Sequence, residues 1–252
     1  MMKKTYEVLP GAEAFFQEGN EVGILVLHGF TGTPQSMRPL GEAFAASGFS
    51  IAMPRLAGHG THYEDMEKTT YKDWIASAEE AIAWLRERTS ILFVAGLSMG
   101  GTLALSLAEK YDDIQGVMLI NPAIEMQQME ALRESENQPR YLESIHSDVQ
   151  KEGVQELAYD KVPYASVIEL LNMLQEVRAD LANVHCPALQ FVSDEDHVVP
   201  PDNASYIFDA IFSEHTELVH LENSYHVATL DHDLDLIIER SLEFIQQYSM
   251  TK

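Results

Sequence analysis

Short apolar runs alternate with longer segments of helical periodicity along most of this chain, and this alternation restricts the fold more than any other feature. The run Val22–Leu27 is apolar throughout and too short for a helix, so it predicts a strand buried on both faces. Apolar residues between Tyr71 and Arg88 recur every three or four positions, which predicts an amphipathic helix. The predicted strands are Val22–Leu27, Ser50–Met53, Ile91–Ala95, Val117–Ile120, Ala188–Val192 and Glu217–Leu221, and the predicted helices are Ser36–Ser47, Tyr71–Arg88, Thr102–Tyr111 and Asp233–Tyr248. The pattern predicts an α/β fold with a mostly parallel sheet and helices on both faces.

Two segments depart from the alternation. Near the N-terminus, Tyr6–Val8 and Ala14–Phe16 predict an antiparallel hairpin at the sheet edge. From Asn121 to about Pro187 the sequence is charged and prone to helix, with scattered large apolar residues and no predicted strand. Because this segment is far longer than an ordinary connection, we interpret residues 122–186 as a helical cap inserted into a core of residues 1–121 and 187–252.

The composition excludes several classes of protein. The 252 residues carry 16 Lys and Arg against 40 Asp and Glu, a formal charge of −24, which disfavours nucleic acid as a partner. An apolar content of 46% is enough for a sizeable core, and no run of 18 apolar residues predicts a transmembrane helix. One cysteine, Cys186, and a start without an apolar signal region lead us to expect a cytoplasmic protein.

The segment Gly96-Leu97-Ser98-Met99-Gly100-Gly101 follows a predicted strand and precedes a predicted helix. A tight turn in this context exposes the serine hydroxyl at a helix N-terminus, whose dipole favours developing negative charge. The sequence therefore predicts that Ser98 is a nucleophile.

A serine nucleophile needs a histidine base and a carboxylate that orients it, in the chain order Ser, acid, His for this type of turn. His226 lies in the loop after the last predicted strand and is the predicted base, with His232 as the alternative. Asp196 follows the preceding strand and is the predicted acid, with Asp194 as the alternative.

The attack creates an oxyanion that needs two preorganised donors. The backbone N–H of Met99 is one candidate, and that of Phe30 in the loop after the first long strand is the other. We interpret His28 and His59 as structural, hydrogen-bonding histidines, since both precede Ser98 and so have the wrong order for the base.

The segments HGFTGTP, PRLAGHGTHYEDM, GLSMGG, SDEDHVVPP and NSYHVATLD, in this order, resemble those of the small bacterial monoacylglycerol lipases and carboxylesterases of the α/β-hydrolase superfamily. The resemblance spans nearly the whole chain and is weakest around Gln127–Gln138. It implies an α/β-hydrolase fold with a cap, the nucleophile Ser98, the acid Asp196, the base His226 and oxyanion amides at Phe30 and Met99. It also implies a small-molecule ester as substrate and neither a metal nor a cofactor.

The substrate is less closely defined. The apolar residues of the insertion, Ile145 among them, would line a site for an acyl chain or pack the insertion itself. Glu156 and Asn121 are candidate partners for the free hydroxyls of a monoacylglycerol. The alternatives are a general carboxylesterase without glyceride preference, a peptidase or amidase of the same fold, and a ligand receptor that barely turns over. The sequence leaves the oligomeric state open.

Overall fold

A seven-stranded sheet forms the centre of the molecule. The computed structural model describes residues 5–135, 138–145 and 147–249, so most of the start on which the expectation about a signal sequence rests lies outside the described residues. The strands are β1 (Phe15–Gln17), β2 (Val22–Leu27), β3 (Ser50–Met53), β4 (Ile91–Leu97), β5 (Ile114–Ile120), β6 (Tyr141–Glu143), β7 (Lys161–Pro163), β8 (Ala188–Ser193) and β9 (Thr216–Leu221). The sheet order is β1-β3-β2-β4-β5-β8-β9, and every neighbouring pair is parallel except β1 with β3. The predicted fold class is confirmed.

Helices cover both faces of this sheet. They are α1 (Pro34–Ala46), α2 (Tyr63–Met66), α3 (Tyr71–Arg86), α4 (Met99–Lys110), α5 (Gln127–Arg133), α6 (Tyr164–Asp180), α7 (Asp202–Ala210) and α8 (Leu234–Ser249). Alternate residues of β2 enter two separate cores: Leu25 packs with α3 and α4 on one face, and Ile24 packs with α1 and α8 on the other. The sequence pattern does not predict the short helices α2 and α7, since a few residues show little periodicity. Among the described residues, no helix has the length and apolarity needed to cross a bilayer.

The predicted N-terminal hairpin is wrong. Phe15–Gln17 pairs antiparallel with β3, where Phe15 lies opposite Met53, and Tyr6–Val8 is not a strand. The ring of Tyr6 instead stacks on His62. The open edge of β3 offers backbone hydrogen bonds to β1, and a pairing this distant in sequence leaves no local signal.

The expectation of an insertion without strands is also wrong. Residues 141–143 and 161–163 form a two-stranded antiparallel ribbon, in which Leu142 lies opposite Val162. Strands of three residues are too short to show an alternating pattern. Helix α6 buries Leu170, Leu171 and Leu174 together with α3 and α4, so these apolar residues form core rather than a cavity wall alone.

Candidate active site

Ser98 lies in a strained turn between β4 and α4. Its φ of 55° and ψ of −119° are unfavourable for a residue with a side chain. A Cβ on Gly96 would lie 2.1 Å from the Gly100 carbonyl oxygen, and a Cβ on Gly100 would lie 2.3 Å from the Leu27 oxygen. The Ser98 N–H donates to Ile120 at 2.9 Å, which ties the turn to the neighbouring strand. The turn therefore accepts only glycine at these two positions and holds the hydroxyl rigidly at the sheet edge.

His226 and Asp196 form a buried pair. Nδ1–H of His226 donates to Oδ2 of Asp196 at 2.8 Å, and the two side chains are 8% and 2% exposed. The other carboxylate oxygen, Oδ1, accepts the N–H groups of Val198 and Val199, each at 2.8 Å. The Asp196 carboxylate is thus fixed on both sides, and its hydrogen bond orients the imidazole.

The alternative acid and base lie elsewhere. Asp194 accepts a hydrogen bond from Nδ1 of the exposed His220 at 2.7 Å. His232 is exposed and does not line the cavity that holds Ser98. The structure therefore brings together the predicted pair and not its alternatives.

The charge environment of His226 favours the protonated imidazole. Burial lowers the pKa of His226, but the hydrogen bond that it donates to Asp196 and the negative charges of Asp196, Glu156 and Asp148 outweigh this effect, so the net pKa is raised. A raised pKa makes the imidazole a stronger base and stabilises the imidazolium that forms when it takes a proton.

The two predicted oxyanion donors face the same cavity as Ser98. Phe30 and Met99 both line it, and Met99 is the first residue of α4. Among the described residues, neither backbone N–H donates a hydrogen bond to another group. Both amides are therefore available to an oxyanion.

His28 and His59 have the structural role expected of them. His28 is buried, hydrogen-bonds to the Gly29 carbonyl through Nδ1 and accepts the Leu56 N–H through Nε2. His59 is buried against Trp74, and its Nδ1 bonds the Ala57 carbonyl at 3.0 Å. Burial lowers the pKa of both rings, that of His59 to about 4, so both are neutral near pH 7.

The cavity beside Ser98 has a volume of about 120 Å³ and is mainly apolar. His226, Glu156 and Ile145 also line it, and the side chain of Ile145 is at its rim, since the residue is 55% exposed. Burial raises the pKa of Glu156, although the positive charge of a protonated His226 opposes this. The apolar wall of the cavity comes from the insertion and the adjoining loops: Ala123, Met126, Met129, Leu132, Leu142, Val162, Val167, Leu170 and Val198.

Asn121 is not among the residues that line the cavity. It is buried, and its Nδ2 donates to the His226 carbonyl at 2.8 Å and to Ser193 Oγ at 2.9 Å. Its Oδ1 accepts the Ser193 N–H at 2.7 Å. The structure thus places Asn121 behind His226, where it supports the histidine loop.

Sequence reasoning missed two residues at the site. Thr31 lines the cavity with a φ of 63°, and its carbonyl accepts the Tyr159 N–H of the insertion at 3.3 Å. Asp148 contacts the backbone of His226, and an aspartate in a charged segment carries no pattern that distinguishes this role.

Within the described parts of the chain, no group of three His, Cys, Asp or Glu side chains is placed to hold a metal ion.

The fold and this site define a serine hydrolase of the α/β-hydrolase class. The sequence profile of the family described as serine aminopeptidase, S33 (Hydrolase_4) matches residues 20–233. The chain belongs to this family.

Two proteins similar to this chain carry the names of ester hydrolases. The chain is 54% identical over 249 residues to a thermostable monoacylglycerol lipase from Bacillus sp. (strain H-257), a match that covers 98% of this chain and 100% of that protein. It is 24% identical to a carboxylesterase from Bacillus subtilis (strain 168), over 92% of this chain and 96% of that protein.

Solved structures agree with the fold. A structure from work on the metagenome-derived lipolytic enzymes LipS and LipT matches with a TM-score of 0.93 at 47% identity, covering 96% of this chain and 100% of that one. The monoacylglycerol lipase of Paleococcus ferrophilus matches with a TM-score of 0.77 at 17% identity, covering 94% and 99%, and this likeness concerns the fold alone.

Proposed function

We propose that this protein is a monoacylglycerol lipase that releases fatty acid and glycerol through an acyl-enzyme. One observation carries the proposal: Ser98 and His226 line one mainly apolar cavity, and Glu156, a carboxylate whose charge acts on His226, lines the same cavity. The 54% identity to a protein of that name supports it. An apolar cavity suits an acyl chain, and a carboxylate suits free hydroxyls.

In the proposed mechanism, Ser98 Oγ attacks the ester carbonyl while Nε2 of His226 takes its proton. Asp196 holds the imidazole in the tautomer that leaves Nε2 free to accept, because its carboxylate accepts a hydrogen bond from Nδ1–H. The amides of Phe30 and Met99 donate to the oxyanion. His226 then protonates the departing glycerol oxygen and activates the water that releases the fatty acid.

Glu156 is the proposed acceptor for the glycerol hydroxyls, and Ile145 the proposed apolar contact at the rim. Gly32 lies in the loop after β2, which also carries Phe30. The Oε1 atom of Glu156 lies so close to Gly32 that a Cβ added there would be 2.5 Å from it. The carboxylate is therefore packed against the same loop that supplies the Phe30 amide. We do not extend this role to Asn121, whose amide is occupied by Ser193 and His226.

We propose that residues 122–186 act as the cap over a core of residues 1–121 and 187–252. We also propose a cytoplasmic location, because the sequence has a single cysteine, and no nucleic acid partner, because its formal charge is −24.

The test is a substrate panel of monoacylglycerols, diacylglycerols, triacylglycerols and nitrophenyl esters of the same acyl chain, with Ser98→Ala as the inactive control. Cleavage of monoacylglycerols in preference to triacylglycerols is the expected result. Equal kcat/KM for glyceryl and nitrophenyl esters would instead identify a general carboxylesterase, and cleavage of aminoacyl amides would identify a peptidase.

The Glu156→Gln variant tests the glycerol subsite. We expect KM to rise for monoacylglycerols and to change little for nitrophenyl esters. Glu152→Gln, an exposed change in the same segment, is the matched control. Equal effects of Glu156→Gln on both substrate types would refute the subsite.

A further inference from the structure

One carboxylate of the inserted segment contacts both the acid loop and the base loop of the site. Oδ2 of Asp148 accepts the backbone N–H of His226 at 3.1 Å and that of His197, the residue after Asp196, at 3.2 Å. Oδ1 accepts Nδ1–H of the His197 ring at 2.8 Å. The backbone carbonyl of Asp148 accepts the Val227 N–H at 3.0 Å. A single residue thus fixes the distance between the two loops that carry the Asp196–His226 pair.

The histidine loop holds the same segment by a reciprocal set of bonds. Asp231 is 1% exposed, and its carboxylate accepts the N–H groups of Gln150 at 2.7 Å and Lys151 at 2.9 Å. It also accepts the N–H of Tyr225 at 3.0 Å, next to His226. Hydrogen bonds from N–H groups to a buried carboxylate are among the stronger ones in proteins. Residues 148–151 are therefore bound to the histidine loop from both sides.

Asp148 also contributes charge to the site. Three carboxylates face His226: Asp196 on the loop after β8, and Glu156 and Asp148 on the inserted segment. The ring of His197, which is bonded to Asp148, is half exposed and has Glu195 on its other nitrogen at 3.3 Å. The negative charge of Asp148 is thus shared between a surface imidazole and the catalytic one.

We propose that Asp148 is a positioning residue for ester hydrolysis, which sets the separation of Asp196 and His226 and makes residues 148–151 a fixed support of the site. This inference rests on the proposed roles of Ser98, Asp196 and His226. It assigns the segment a function in catalysis besides covering the substrate.

The test compares Asp148→Asn and Asp148→Ala with Asp194→Asn, a control that also removes a carboxylate bonded to an exposed histidine. In both Asp148 variants we expect kcat for a nitrophenyl ester to fall about tenfold with KM changed less than about twofold, because misplacing the base affects the reaction and not ground-state binding. In Asp148→Asn the acid limb of the kcat/KM profile should move to lower pH, since a negative charge near His226 is lost. Asp194→Asn should change neither quantity.

Thermal unfolding and labelling of Ser98 by a fluorophosphonate complete the experiment. A lower melting temperature with unchanged kcat and an unchanged acid limb would overturn the inference, because that result describes a purely structural residue. If Asp148→Ala does not fold, Asp148→Asn, which keeps the shape of the side chain, carries the test. Failure of the fluorophosphonate to label Ser98 in the active parent protein would instead overturn the proposed function.

Discussion

Replacement of Asp196 by asparagine should abolish most of the activity, and the surroundings of the side chain give the reason. Oδ1 accepts two backbone N–H groups, from Val198 and Val199, so an asparagine must place its carbonyl oxygen there. Its NH₂ group then faces Nδ1 of His226, at the position where Oδ2 now lies 2.8 Å away. Two donors cannot face each other, so the imidazole must accept at Nδ1 and carry its proton on Nε2. That tautomer cannot take the proton of Ser98.

The opposite orientation of the asparagine amide is also unfavourable. It would direct the NH₂ group at the backbone N–H groups of Val198 and Val199, in a pocket where the side chain is 2% exposed, and would leave buried donors unpaired. We therefore expect kcat/KM to fall by about 10⁴, equivalent to about 5 kcal/mol of transition-state stabilisation. The assay is hydrolysis of a nitrophenyl ester at pH 8 with Asp194→Asn as the control. A fall of less than tenfold in Asp196→Asn would refute the reasoning about the tautomer.

Three further predictions concern the turn, acid stability and a buried carboxylate. Gly96→Ala should destabilise the protein by more than about 3 kcal/mol and remove activity, because the new Cβ would lie 2.1 Å from the backbone of Gly100. Thermal melting and ester hydrolysis measure the two effects. The control is Gly41→Ala, where the nearest atom is the flexible end of the Met53 side chain at 3.0 Å. Burial lowers the pKa of His59 to about 4 from 6.5, so the unfolded chain gains a proton first as the pH falls, and stability should decline by up to about 3 kcal/mol between these values. Urea unfolding at several pH values measures this decline, which should be shallower in His59→Gln, and equal slopes would contradict the assignment. Burial, together with the negative charges of Asp180 and Glu176 on α6, raises the pKa of Glu109 to about 8. Glu109→Gln should therefore raise the free energy of unfolding by about 1 kcal/mol at pH 8 and by less at pH 5. A variant less stable than the parent protein at pH 8 would refute this prediction.

The parts of the fold predicted correctly are those with strong local patterns. Strands such as Val22–Leu27 are buried on both faces, so every residue is apolar and the pattern is continuous. The three-residue strands of the insertion and the pairing of Phe15–Gln17 with β3 depend on partners distant in sequence. No window of the sequence records such a pairing.

The same division holds at the site. The turn at Ser98 could be predicted because its glycines are required by contacts within a few residues. Asn121 was expected at the substrate, yet it hydrogen-bonds to Ser193, 72 positions further along the chain, and to the His226 carbonyl, 105 positions further along. The contact of Asp148 with the same loop spans 78 positions. A polar side chain in a loop has no periodicity that reveals what it will face.

The sequence by itself determined the layered α/β architecture and the strained turn at Ser98, because each follows from local sterics or from the period of apolar residues. Only the tertiary structure decided which of the neighbouring carboxylates, Asp194 or Asp196, reaches His226. It also decided which side chains brace the histidine loop and which face the cavity. These choices depend on how loops from separate strands meet at one edge of the sheet, where differences of a few ångströms select among chemically identical groups.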